Sequence, residues 1–159
     1  YKPPPFVYNG NEGGGLMVIF SWEPKLELGI ELLDRQHREL IKAINAFFIS
    51  YKCRDDIQKV SECLDFLNHY PLYHFQAEEA FQVRYDYPLY RDHQAKHNYL
   101  GTQLKFHSTA LEASRFAPEK MDDFHKYLQT WILEHLLEDD LKFAEFVKEA
   151  GMQHALKDE

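Results

Sequence analysis

The amino-acid sequence predicts an all-α fold, an up-down-up-down antiparallel four-helix bundle with an irregular N-terminal tail. Three observations carry that expectation. Leu is abundant while Val, Ile and Thr together are scarce, a composition that favours helices over strands. Helix-breaking residues crowd into the start of the chain: Gly10, Gly13, Gly14, Gly15, Pro3, Pro4 and Pro5 precede residue 16, out of seven Gly and seven Pro in all. Beyond that start, apolar residues recur at spacings of three and four in four separate segments, the period of one helix face.

The tail, residues 1–16, begins YKPPPFVYNGNEGGG, a stiff polyproline start followed by a flexible Gly run. It reads either as a fused peptide or as a natural docking arm, with Met17 as an original start codon and residues 17–159 as one bundle domain. The remaining Gly and Pro punctuate the chain into helices over about 33–52, 55–86, 88–114 and 118–149. The first carries Leu33, His37, Leu40, Ile41, Ile44 and Phe48 on one stripe, and the second Val60, Leu64, Leu67, His74, Glu78, Phe81 and Tyr85. The third aligns His93, His97, Leu100 and Leu104, and the fourth Phe124, Leu128, Trp131, His135 and Leu136. Short connections between them favour antiparallel neighbours. Pro118 suits the first turn of the fourth helix, and Pro71 predicts a kink in the second, three residues before His74.

A length of 159 residues fits one domain with a full core, and 45% hydrophobic residues with many Phe and Tyr exclude disorder for its bulk. The net charge of −8 repels phosphate backbones and anionic lipid, so nucleic acid is not an expected partner. No apolar run approaches the roughly 20 residues of a membrane-spanning helix. Cys53 and Cys63 form no framework of the secreted type, and no signal-peptide pattern opens the chain, so a cytoplasmic protein with free thiols is expected.

The chemistry lies in the histidines. An imidazole on a core face costs desolvation unless its nitrogens find partners, yet every predicted helix places one or two in its apolar stripe. His93 and His97, at i and i+4, present both rings on one side of a helix at the separation one metal ion needs. His74 has Glu78 one turn on, and His135 lies close to Glu138, Asp139 and Asp140. On an ideal α-helix Asp139 sits nearly on the face of His135, whereas Asp140 is rotated away by about 140°. Five imidazoles with two carboxylates exceed the demand of one tetrahedral zinc and imply two metals, the carboxylates bridging. Such nitrogen and oxygen ligation suits iron, with copper, zinc and manganese as alternatives.

Four stretches carry a family resemblance: SWEPKLELGIELLDRQH (Ser21 to His37), HFQAEE (His74 to Glu79), YPLYRDHQAKH (Tyr87 to His97) and WILEHLLEDD (Trp131 to Asp140). In order, residue type and spacing they resemble the hemerythrin family, in particular its single-domain bacterial members, over about residues 20–145. The resemblance implies that His37, His74, His93, His97 and His135 are terminal iron ligands, and that Glu78 and Asp140 bridge, with Asp139 in reserve. It assigns His93, His97 and His135 to one iron and His37 and His74 to the other, whose open position takes dioxygen. By position, Ile41, Phe75, Phe81, Trp131, Ile132 and Leu136 are the expected oxygen-pocket lining. The family commonly has Met where this chain has Gln82, an amide that either faces the pocket or faces solvent.

The function implied is reversible dioxygen binding at a non-heme di-iron centre, for carriage, storage or sensing, and not catalysis. The alternative is a di-iron redox or nitric oxide sensor, or an oxidase- or peroxidase-type enzyme, in the same bundle. Five histidines against two carboxylates disfavour the oxidising branch. His69, His107, His125 and His154 match no ligand position and are expected at the surface or in hydrogen bonds.

Overall fold

A computed structural model describes residues 20–53 and 56–151, apart from the side chains of Ile132 and Leu133. Residues 1–16 and His154 therefore lie outside the described residues. A 3-10 turn at Pro24–Leu26 precedes α1 (Glu31–Lys52), α2 (Ile57–Arg84), α3 (Tyr90–Ala113) and α4 (Pro118–Glu134). A π-helical turn, His135–Asp140, then leads into α5 (Leu141–Glu149). The fourth predicted helix is thus a composite, interrupted by one wide turn where a continuous α-helix was expected.

Cross-helix pairs show that the bundle is antiparallel. Between α2 and α3, Gln82 meets His93, Phe75 stacks on His97 and Asn68 meets Ser108, so one number falls as the other rises. Between α3 and the composite fourth helix, His97 reaches His135 at the start of the π turn and Leu100 reaches Tyr127 of α4. Across α1 and the last helical stretch, His37 faces Asp140 while Phe47 and Phe48 face Phe124.

The connections follow from local chemistry. Gly29, at φ 77°, turns the chain into α1, and the Asp34 carboxylate accepts from Leu28 N and Gly29 N at 2.8 and 3.0 Å. Only glycine adopts such a φ without steric cost. Asp56 caps α2, accepting from Gln58 N at 3.0 Å. Arg115 and Phe116 turn left-handed before Pro118 opens α4. The leading segment is held to α1 by a paired amide contact between Phe20 and Asn45 and by the Arg38 guanidinium over Trp22. Helix α2 runs on through a buried Pro71.

Two apolar clusters result. The larger fills the bundle from Phe47, Phe48 and Phe124 up to Phe75, Trp131 and Leu136. The smaller joins Ile30, Leu33, Phe81 and Tyr87 to Phe143, Ala144 and Val147 of α5. The imidazoles lie where the stripes of all four helices meet. Among the described residues no helix is long and apolar enough to cross a membrane.

Candidate metal centre

His37 from α1, His74 and Glu78 from α2, His93 and His97 from α3, and His135 and Asp140 from the π turn are all buried. Their Nε2 atoms converge: His37 and His74 approach to 2.9 Å, His93 and His97 to 3.0 Å, and His97 and His135 to 3.0 Å. The ligand atoms form two groups, Glu78 with His93, His97, His135 and Asp140, and His37 with His74 and Asp140. Asp140 belongs to both. Its Oδ2 lies 3.2 Å from His37 Nε2, and its Oδ1 lies 3.3 Å from His93 Nε2 and 3.2 Å from His135 Nε2. Glu78 Oε2 is 3.4 Å from His93 Nε2 and 3.3 Å from His97 Nε2.

The π turn explains how residue 140 reaches this centre. A turn closed by i→i+5 hydrogen bonds carries residue i+5 round beneath residue i, which an α-turn does not. Asp140 is thereby brought to the face of His135, and Asp139 is displaced outward. There Asp139 Oδ2 stands 3.8 Å from His135 Nδ1, on the far side of the ring, and the carboxylate pairs with Lys96 and, at 3.8 Å, with Lys142. Lys96 and His135 hold the Asp139 carboxyl at about 2 despite partial burial.

The donor set fits metal cations. Glu78 Oε2 and both Asp140 oxygens are buried without a hydrogen-bond partner, and unpaired buried carboxylate oxygens are costly unless a cation or proton meets them. Imidazole nitrogens facing one another at 3 Å present the same demand. In the metal-free arrangement the groups polarise one another. Burial and then the His37 charge push His74 down to about 3. Burial opposes the charge on His93, but the Asp140 and Glu78 carboxylates beside it lift it to about 10. Burial likewise opposes ionisation of Asp140, and the surrounding imidazoles hold it well below the usual carboxylate range.

A second layer of side chains sits behind the rings. His97 Nδ1 lies 2.9 Å from Glu79 Oε1, and His74 Nδ1 lies 2.9 Å from Gln36 Oε1. Gln82 is buried, with Nε2 3.1 Å from both Glu78 Oε1 and His93 Nδ1, so it faces the centre and not solvent. Sequence reasoning passed over Gln36 and Glu79. The only signal for either was adjacency, Gln36 to His37 and Glu79 to Glu78, which says nothing about the ring each one meets.

Phe75 stacks on His97 at 4.1 Å between centroids and meets His135 and Trp131 edge-on. Ile41, Trp131 and Leu136 share its cluster, whereas Phe81 packs in the smaller cluster with Ile30 and Tyr87. The side chain of Ile132 lies outside the described residues. Of the other histidines, His69 contacts Asp65 O at 2.7 Å, His107 stacks on Tyr127, and His125 meets Phe48. Neither Cys53, exposed, nor Cys63, buried, is in a disulfide.

Fold and site together define a helical bundle with a buried imidazole–carboxylate centre shaped to hold metal. The hemerythrin HHE cation binding domain model matches residues 28–147, and the chain belongs to the hemerythrin family. It is 25% identical over 134 residues to a bacteriohemerythrin of Stenotrophomonas maltophilia, covering 83% of this chain and 84% of the relative. It is 28% identical over 136 residues to a bacteriohemerythrin of Clostridium acetobutylicum, covering 79% and 98% respectively. A hemerythrin-like protein of Naegleria gruberi is 24% identical over 124 residues, covering 78% of this chain and 90% of that protein.

Proposed function

We propose that this protein binds dioxygen reversibly at a non-heme di-iron centre, as a carrier, store or sensor and not as an enzyme. The observation that carries the reading is the placement of Asp140: its two carboxylate oxygens face different histidine groups, as a carboxylate shared by two cations would. His93, His97 and His135 would hold one ion and His37 and His74 the other. Glu78 would be the second shared carboxylate, since it stands one turn after His74 on α2 and faces His93 and His97 across the centre. Two iron ions held there would supply the reducing equivalents for reversible dioxygen binding.

The chain's own residues do the rest. Five neutral imidazoles with two carboxylates leave the centre with little excess charge, which suits a ferrous resting state in a dry core. Phe75, which stacks on His97, and Ile41, Trp131 and Leu136, buried in the same apolar cluster, would exclude water, and with water the protons that would turn reversible binding into irreversible oxidation. Gln82 holds Glu78 Oε1 through its amide, so that Oε2 is the oxygen left facing the imidazoles.

The test is metal content together with visible absorption of the reduced protein under argon, then air, then argon. Two irons per chain and a band that comes with air and fades on deoxygenation support the reading. Two irons that oxidise once and do not return assign the centre to redox sensing or oxidation chemistry instead.

A further inference from the structure

An imidazole that turns Nε2 to the centre still has Nδ1, and what meets Nδ1 differs between the two groups. Behind His97 stands a carboxylate, Glu79 Oε1 at 2.9 Å, whose other oxygen accepts from Gln94 Nε2 at 2.8 Å; Gln94 Nε2 also lies 2.7 Å from Tyr90 OH. Asp139 stands behind His135 at 3.8 Å, beyond hydrogen-bond distance, so His135 Nδ1 has no hydrogen-bond partner among the described residues. The neutral Gln82 amide lies 3.1 Å behind His93. Glu79 is thus the one carboxylate in hydrogen-bond contact with the back of a ring among the described residues. In the smaller group His74 has only the neutral Gln36 amide oxygen, and His37 Nδ1 has no hydrogen-bond partner among the described residues. A carboxylate behind an imidazole fixes the ring's tautomer and aim and raises its basicity, and losing such a partner costs about 10- to 100-fold in metal affinity.

We infer that the two metal positions are unequal, with the His93–His97–His135 position filling first and holding its ion more tightly, and with Glu79 as the positioning residue that makes it so. The His37–His74 position fills last and empties first. The inference rests on the two-metal reading above and adds to it an order of loading and a residue that sets that order. The imidazole count points the same way, three at the first position against two at the second, the two carboxylates being shared.

Cobalt(II) titration of the metal-free protein, followed by visible absorption and calorimetry, tests it without recourse to oxygen binding. The wild type is expected to take one equivalent in a tight phase and a second in a phase about tenfold weaker or more. Glu79→Gln keeps an oxygen acceptor of the same size and removes the charge. It is expected to weaken the first phase by about tenfold or more while leaving the melting temperature of the metal-free protein unchanged. Gln36→Leu is expected to weaken the second phase alone. A single phase of two equal equivalents in the wild type overturns the inference, and so does Glu79→Gln with its first phase within about twofold of wild type. Fewer than two equivalents in the wild type would instead overturn the two-metal reading beneath it.

Discussion

The neighbouring aspartates of the π turn offer a sharp test, because they are adjacent in sequence and have opposite surroundings. Asp140 is fully buried, with three imidazole nitrogens at 3.2 to 3.3 Å. Asp140→Asn keeps its shape and removes its charge. Breaking a buried ion pair costs about 3–5 kcal/mol, and because Glu78 still faces His93 the lower end applies, about 3 kcal/mol. At about 2–4 °C per kcal/mol for a chain of this size, the metal-free variant should melt about 6–12 °C below wild type. Asp139 is partly exposed, and its partners are surface lysines. Such pairs contribute about 1 kcal/mol or less, so Asp139→Asn should lower the melting temperature by no more than about 4 °C. The assay is thermal unfolding by circular dichroism with chelator present, followed by iron loading and metal analysis. Asp139→Asn should retain two irons and Asp140→Asn at most one. The reverse result, two irons in Asp140→Asn and a lost iron in Asp139→Asn, would refute the π-turn geometry and return the bridging role to Asp139.

Removing metal from the loaded protein with a chelator should lower its melting temperature: at a free metal level about a thousandfold above Kd, the bound ion adds about 4 kcal/mol, or about 8–16 °C, which calorimetry reads directly. Phe75→Ala deletes a buried ring that stacks on His97, so a cavity cost of about 3–5 kcal/mol should depress the melting temperature by about 6–20 °C. In the iron-loaded form the same change should speed irreversible oxidation in air, followed by loss of the band that fades under argon. Gly101→Ala should be stabilising by about 0.5–1 kcal/mol, because a helix-interior Gly is replaced. The new Cβ would meet only Leu72 Cδ2, at 3.1 Å, the tip of a 43% exposed side chain that can turn away. A lower melting temperature for this variant would show that Leu72 is held in place.

The all-helical fold was legible because spacings of three and four repeat in each segment and breakers fall between them; Pro118 marked its helix start to the residue. Short connections settled which helices are neighbours and hence antiparallel. The same periodicity placed His37, His74, Glu78, His93, His97 and His135 on facing stripes, and i, i+4 spacing alone put His93 beside His97. Two features escaped it. Behind the rings, Glu79 belongs to α2 and the imidazole it meets to α3, and Gln36 likewise meets a ring on the neighbouring helix. Such pairs are contacts between helices, and no pattern within one helix encodes the rotation that brings them together. The other feature is the turn after His135. Glu138, Asp139 and Asp140 all lie within reach of it in sequence, and an ideal helix favours Asp139. The hydrogen-bond register of one backbone turn puts Asp140 among the imidazoles and leaves Asp139 behind them. The sequence by itself determined that four helices would carry histidine inward with carboxylates near. The family resemblance named Asp140 against the periodicity, but only the tertiary structure supplied the reason, and only it decided which side chains brace the rings, because both depend on backbone register and helix rotation, settled by packing.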